Sequence, residues 1–543
     1  MRLVTKDQTM PSDQAPRSTF PSTGAATTGG GEHSQHPFTA MRLPDDLPSP
    51  GLLVGWSLEL EHRRQPIGFG FGDPELTPDK GWLDPVLLEG EGHIITIAPT
   101  GTGKGRSCII PALLRHEGPV IVIDPKGENV AVTARRRREM GHQVVVLDPM
   151  GITDEAAGAF NPLDLIDPGS ADAVDIAANY AAAMVQAQED PRNSYWYQRA
   201  QSLLSALMLH VSTQAASEQR NFAALRNMLA QLAPAAPGVP LHPESAHAAL
   251  LSSPHPEARL AGQSLSNAAA ETIGSILSMT QDGVDFLRGP MIDAATSHTS
   301  FDLDAVTRGD PLSIYIVLPP HMMESHGRLL RLWVMALMAL VTRRRGKPAH
   351  STLFIIDEAA QLGALPQLRQ AVTLLRGYGL QCWSLWQDVS QLRLLYPRDW
   401  ETMVNNCRVV QCFGALNLMA ADAMAKLTGF GSPEAVLDLD ETEMLLQIAG
   451  APAQRARKPD YLADPAFAGQ FDLNPYHDPD QPVMPEAAPR VTLLDPATRS
   501  EEPMGPDESV EDYVRRVTGR EASFRRQMRK PRPDPLHDRL KGE

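Results

Sequence analysis

The sequence is short of three things, and each shortage removes a class of protein. Cysteine is scarce: Cys108, Cys382, Cys407 and Cys412 are the only four in 543 residues, and no two have metal-ligand spacing. Three lie in or beside apolar, strand-like runs, so they read as buried, reduced thiols rather than a disulfide framework or a zinc site. Net positive charge is missing too. A formal charge of -16 excludes binding a nucleic acid through bulk charge. Any polyanion contact must therefore come from local basic patches, or the substrate is a protein. Long apolar runs are also absent. The longest, Leu329 to Thr342, is interrupted by Arg331 and falls short of the roughly 20 residues that cross a bilayer. It is expected to be a buried helix. No apolar core follows Arg2 and Lys6, so no secretory signal is read, and the chain is expected to be soluble and cytoplasmic.

What is present is an ordinary globular balance, 42% hydrophobic and 21% charged residues, in a chain long enough for two or three domains. Residues 1–50 are rich in Ser, Thr, Gly, Pro and His and are expected to be a disordered tail. From residue 51 short strands and turns lead into an alternation of strand and helix. His93–Ala98, Val120–Asp124 and Gln143–Asp148 are short runs rich in Val and Ile, each ending in a Gly-, Pro- or Asp-containing loop, and read as buried strands of a parallel sheet. Residues 165–300 change character: Ala and Leu recur at helical spacing, which predicts an all-α insertion. The strand pattern resumes over 301–475 with Ser313–Leu318, Leu353–Asp357, Cys382–Trp386, Val409–Phe413 and Met444–Ile448. The halves on either side, 51–164 and 301–475, must share one core, because each alone would expose an apolar face. Residues 476–543 are Pro-rich and polar and end in a basic run, Arg515 to Lys541, with ten Arg or Lys residues. They are expected to be disordered.

The chemistry concentrates in two places. Ala98-Pro99-Thr100-Gly101-Thr102-Gly103-Lys104-Gly105 follows a predicted strand and precedes a predicted helix. Glycines there let the backbone turn tightly and aim successive N–H groups at one anion. Lys104 supplies a point charge for β- and γ-phosphates. Ala98 and Gly105 stand where the phosphate-loop pattern has Gly and a Mg²⁺-binding hydroxyl, so the magnesium ligand is left open between water and a nearby Thr or Ser. The second place is Asp357-Glu358, at the end of the apolar strand Leu353–Ile356. Charges there are costly unless they face a cleft or a metal. In the phosphate-loop scheme the first acid serves Mg²⁺ and the second deprotonates the attacking water. Either motif alone has a plainer reading, a Gly-rich turn or a helix-start acid pair; their combination predicts an ATP site.

These residues, in this order, resemble the TraG/VirD-type coupling proteins of bacterial type IV secretion and conjugation. The likeness is carried by the phosphate loop, where the family commonly has Gly after the Lys, and by Asp124-Pro125-Lys126-Gly127-Glu128-Asn129 and Phe160-Asn161-Pro162-Leu163-Asp164. Further on it is carried by Tyr195-Trp196, Pro319-Pro320, Phe354–Glu358, Gln387-Asp388-Val389-Ser390-Gln391-Leu392, Asn405-Asn406-Cys407 and Asp464-Pro465-Ala466-Phe467. The resemblance implies a RecA-like α/β nucleotide-binding domain with a mainly parallel sheet, split by an all-α domain. It also implies a motor ATPase that uses ATP and Mg²⁺ and assembles as a homo-hexamer. Such a motor passes relaxase-bound single-stranded DNA or protein effectors to a type IV secretion channel at the cytoplasmic face of the inner membrane. By the same resemblance Thr100 to Gly105 hold the phosphates, Gln387 senses the γ-phosphate and Arg376 acts in trans on a neighbour's nucleotide.

One departure stands out. Family members usually begin with transmembrane helices, and this chain shows none, so a soluble branch or a partner-borne anchor is expected. Two other readings stay open at this level: a cytoplasmic FtsK/HerA-like DNA pump, and an adaptor that binds without turnover. The basic runs Arg135–Arg138 and Arg343–Arg345 are candidate phosphate contacts of a pore, against the plainer reading of solvated helix faces.

Overall fold

A computed structural model describes Leu43, Leu47 and Asp512 together with residues 51–57, 83–185, 194–214, 216–232 and 242–477. Apart from those three single residues and the ends of the described stretches, the tails expected over 1–50 and 476–543 lie outside them, as does the basic run Arg515 to Lys541.

Eleven strands form one sheet. In chain order they are β1 (Leu52–Ser57), β2 (Asp84–Leu88), β3 (His93–Ile97), β4 (Val120–Ile123), β5 (Gln143–Leu147), β6 (Leu312–Ile316), β7 (Thr352–Ile356), β8 (Leu380–Trp386), β9 (Cys407–Cys412), β10 (Glu443–Ile448) and β11 (Gln454–Arg457). Their spatial order is β2-β1-β11-β10-β9-β3-β8-β7-β4-β6-β5. The stretch from β9 to β5 is parallel throughout, and β10, β11, β1 and β2 extend it antiparallel.

The parallel strands are apolar on both faces because both faces are covered. Ile95, Ile97, Ile121, Ile123, Phe354 and Ile356 pack into one core. Their alternating neighbours Ile94, Val120, Val122, Leu353 and Ile355 pack into another, as the two-residue period of a strand requires. The first core is continuous with the helices between β5 and β6. There the described residues form helices Ala173–Met184, Ser194–Ser212, Phe222–Gln231, Ala246–Leu251, Pro256–Asn267, Ala270–Val284, Pro290–Ala295 and Leu303–Arg308. The helix Met323–Thr342 runs through that core, and its buried positions include Leu329 to Leu330 and Leu332 to Met338. Its Trp333 donates Nε1–H to the Phe160 carbonyl at 2.9 Å. The long apolar run is therefore a buried helix. Among the described residues no helix is long and apolar enough to cross a membrane.

The hairpin of β10 and β11 was not readable as such. Gln454-Arg455-Ala456-Arg457 has a single apolar residue, Ala456, and becomes a strand because β10 and β1 present open edges on either side. After it, residues 458–477 turn back over the helix that follows β3, where Tyr461 and Phe467 pack with Trp56, Ile110, Leu114 and Val132.

What positions the site is strand order. β8 lies between β3 and β7, with Ile97 level with Trp386 and Ile356 level with Ser384. β4 lies beyond β7, with Ile123 level with Ile356. The loops after these four strands therefore open side by side at one edge, the carboxyl edge, where open parallel sheets bind ligands.

Candidate nucleotide site

The chain leaves β3 at Ala98, whose N–H bonds to the Trp386 carbonyl at 2.8 Å. Thr102 closes the next turn on the Pro99 carbonyl, through its N–H at 3.4 Å and its hydroxyl at 2.7 Å. Gly101 and Gly103 have φ of 83° and 85°, a left-handed conformation that side chains disfavour. The N–H groups of Gly101, Gly103 and Lys104 have no acceptor among the described residues. A helix begins at Gly105 with one wide π-type turn, Ile110 N–H to Gly105 O, and runs on to Arg115. Free amides ahead of a helix start form the concavity that binds phosphate.

Facing this loop is the end of β7. Glu358 has φ 55° and ψ 55°, and it is the one non-glycine residue with positive φ among the described residues. Such a conformation costs about 1–3 kcal/mol and persists where its surroundings hold it. Here they do. Lys104 Nζ lies 2.5 Å from Glu358 Oε1, and Gln387 Nε2 donates to Oε2 at 2.8 Å. Gln387 is fixed in turn by Gln391, whose Oε1 accepts its backbone N–H at 3.0 Å. Asp388 accepts from the N–H groups of Ser390 (2.6 Å) and Gln391 (3.1 Å), starting the helix Val389–Leu395. Lys104, Glu358 and Gln387 thus converge, from loops that the sequence separates by up to 283 residues. Asp357, beside Glu358, keeps a buried Oδ1 with no hydrogen-bond partner. Burial pushes its carboxyl up to about 6, against the pull of Lys104.

Some residues enter the site unannounced. Asp124 follows β4 and comes level with Asp357 because the two strands are in register. It is buried and accepts from Val130 N–H (2.9 Å) and Asn129 Nδ2 (3.2 Å). Burial pushes it up to about 7, with the charges of Asp357 and Glu128 adding to the rise. Glu128 faces the phosphate loop: a Cβ on Gly105 would stand 3.9 Å from its Oε1. The side of the loop that lacks a hydroxyl therefore meets a carboxylate, which Asn474 holds at 2.7 Å. The sequence signal was the motif Asp124–Asn129, visible as a likeness but with no chemistry attached to it.

Arg376 does not join this group. It is exposed, in the turn Leu375–Tyr378 ahead of β8, at the opposite edge of the sheet from the phosphate loop. His93, at the start of β3 on that same edge, is pushed down to about 4 by burial and then by the Arg376 charge. The basic runs are also not free patches. Arg137 is fully buried and donates to the carbonyls of Leu113, His116 and Gly118 and to Ser313 Oγ. Arg135 pairs with Glu139 and Asp472, and Arg138 with Glu155. Arg344 is buried and donates to the carbonyls of Val306, Thr307, Tyr378 and Gly379. Burial lowers both buried arginines, each to about 10. Arg137 and Arg344 are thus spent on the fold.

Comparison with known proteins agrees with this fold. The family model "Type IV secretory system Conjugative DNA transfer" matches residues 62–431. The conjugal transfer protein TraG of Escherichia coli is 28% identical over 371 residues, covering 64% of this chain and 58% of its own length. Protein VirD4 of Rhizobium radiobacter is 25% identical over 431 residues, covering 72% of this chain and 60% of its own. The chain thus spans somewhat under two thirds of these relatives' length. Among solved structures, the bacterial conjugative coupling protein TrwBdeltaN70 aligns with a TM-score of 0.53 at 17% identity, over 69% of this chain and 86% of that one. The plasmid coupling protein TrwB in complex with ADP and Mg²⁺ aligns with a TM-score of 0.50, also at 17% identity, over 69% and 88%. The fold is the RecA-like, phosphate-loop NTPase fold with a mainly parallel sheet, and the chain belongs to the type IV secretory system conjugative DNA transfer family.

Proposed function

We propose that this chain is an ATPase that couples a relaxase-bound DNA strand, or a secreted protein, to a type IV secretion channel. The observation that carries the reading is Glu358, held in a strained backbone between Lys104 and Gln387 at the mouth of a phosphate-shaped loop. Strain of this kind gathers at functional sites.

In this reading the loop Thr100 to Gly105 holds the β- and γ-phosphates of ATP, through the Lys104 ammonium and the free amides of Gly101, Gly103 and Lys104. Lys104 then has two anionic partners to choose between, and phosphate draws it from Glu358. The freed carboxylate, still oriented by Gln387, accepts a proton from water. The water oxygen bonds to the γ-phosphorus while the bond to ADP breaks, and the electron pair leaves with ADP. Gln387 touches both the base and the γ-phosphate and reports its loss. Asp357, with its unsatisfied oxygen, fits a Mg²⁺ that accompanies ATP, and Glu128 is a second carboxylate at the same loop. When bound, the ion neutralises charge on the phosphate oxygens. Arg376, remote from its own subunit's loop, acts on the neighbour's nucleotide in a homo-hexamer. The chain works at the cytoplasmic face of the inner membrane.

The test is ATP hydrolysis against protein concentration, with and without single-stranded DNA. Turnover that rises steeply with concentration, responds to DNA and disappears in Lys104→Ala is the expected result. Glu358→Gln should keep nucleotide binding and lose roughly 10²–10⁴-fold in turnover. Hydrolysis at the parental rate in Glu358→Gln would discard the base assignment, and no turnover in any condition would leave a binding adaptor.

A further inference from the structure

Lys458 is the only buried lysine among the described residues, 9% exposed. It lies just past β11, more than 350 residues from the phosphate loop in sequence, in no recognised motif. Its ammonium donates to the Thr102 carbonyl at 3.1 Å and stands 4.7 Å from the centre of the Phe413 ring. It makes no ion pair among the described residues. A buried ammonium with no carboxylate at ion-pair distance is costly, so the arrangement calls for a compensating role or a compensating anion.

The peptide it touches suggests the role. The Thr102–Gly103 peptide is planar and trans, so its C=O and N–H point in opposite directions. Lys458 holds the carbonyl. The Gly103 N–H therefore points away from Lys458, and it is one of the amides with no acceptor among the described residues. A cation on the carbonyl also polarises the peptide and strengthens the opposite N–H as a donor. The segment carrying Lys458 is itself tied to the site. Asp460 takes both Arg106 Nε and Nη2, at 2.6 and 2.5 Å, on the helix that follows the loop. Asn474 holds Glu128, and the Tyr476 hydroxyl donates to the Lys126 carbonyl at 3.0 Å.

We propose that Lys458 is a positioning residue of the nucleotide site, which aims the Gly103 amide at the bound phosphate and strengthens it as a donor. This rests on the nucleotide reading above. The groups facing the ammonium are Cys108, Glu441, Asp440 and Arg106, and burial lowers it to about 8. Its charge is therefore present below that pH and lost above it.

The experiment measures equilibrium binding of a fluorescent ATP analogue with Mg²⁺ to the full chain from pH 6.5 to 9.5, for the parent, Lys458→Met and Lys104→Ala. The parent should bind, weaken as pH rises through about 8, and Lys458→Met should bind about tenfold more weakly at pH 7, with that pH step gone. A Lys458→Met protein that binds like the parent, or that keeps the step, overturns the proposal. If that variant does not fold, the parent decides alone: a flat profile through pH 8 overturns the role and a falling one supports it. Absence of binding in the parent itself would instead overturn the nucleotide reading, and this role with it. Loss of binding in Lys104→Ala, beside an unaffected Lys458→Met, would leave the site standing and remove only Lys458 from it.

Discussion

The two edges of the parallel sheet both carry buried or half-buried cations, and they use them in opposite ways. At the amino edge, Arg137 and Arg344 spend their N–H groups on carbonyls of the loops that lead into the strands. At the carboxyl edge, Lys104 holds a carboxylate on a strained backbone, Lys458 holds one carbonyl, and Asp357 and several loop amides keep unused capacity. The physical source of the difference is strand direction. The carboxyl edge receives the loops that leave every parallel strand, with their free amides, while the amino edge receives the ends of helices, with carbonyls to cap.

Arg376 is the exception that sharpens the contrast, since it sits at the amino edge but is exposed and makes no ion pair among the described residues. If it serves a neighbour's nucleotide, Arg376→Ala should lower ATP turnover by roughly 10³-fold or more and leave the melting temperature unchanged. Mixing it with Glu358→Gln subunits should restore part of the rate. No recovery on mixing, with a normal rate for the single variant, would return Arg376 to the surface.

Arg137→Met should do the reverse. Removing the guanidinium strands several buried carbonyls and Ser313, at about 3–5 kcal/mol, read as a lower urea midpoint. Nucleotide affinity per folded molecule should not move. A matched loss of affinity would mean that the two edges are coupled rather than divided in labour.

The smallest effect concerns pH. The Asp124 carboxyl is raised to about 7 in the folded chain from an ordinary 3.8. The folded state therefore keeps a proton that the unfolded state releases, and stability falls as pH rises from about 4 through 7. Asp124→Asn should flatten that fall by on the order of 2 kcal/mol, visible in melting temperatures at pH 5 and pH 8. An unchanged slope would show that Asp124 is not a burdened acid but an ordinary helix cap.

Much of this was legible beforehand. The parallel strands are uninterrupted runs of β-branched and apolar residues, so each could be placed from local pattern, and the phosphate loop and Asp357-Glu358 carry their chemistry in contiguous residues. Asp124, Glu128 and Lys458 were not legible as site residues, because nothing local distinguishes a loop acid or a lysine beside Pro459 from any other. β11 was invisible for a similar reason: its pairing depends on the edges of β10 and β1, not on its own four residues.

By itself, then, the sequence determined which segments are the parallel strands, that a glycine-rich turn follows one of them, and that two acids end another. Local sterics and burial pattern are written in consecutive residues. Only the tertiary structure decided that β8 lies between β3 and β7, which sets Gln387 against Glu358. It alone decided that Arg137 and Arg344 turn inward to cap carbonyls, and that the chain returns after β11 to lay Lys458 on the phosphate loop. These are contacts between residues hundreds of positions apart, fixed by strand order and by the need to satisfy every buried polar group, and no local pattern encodes them.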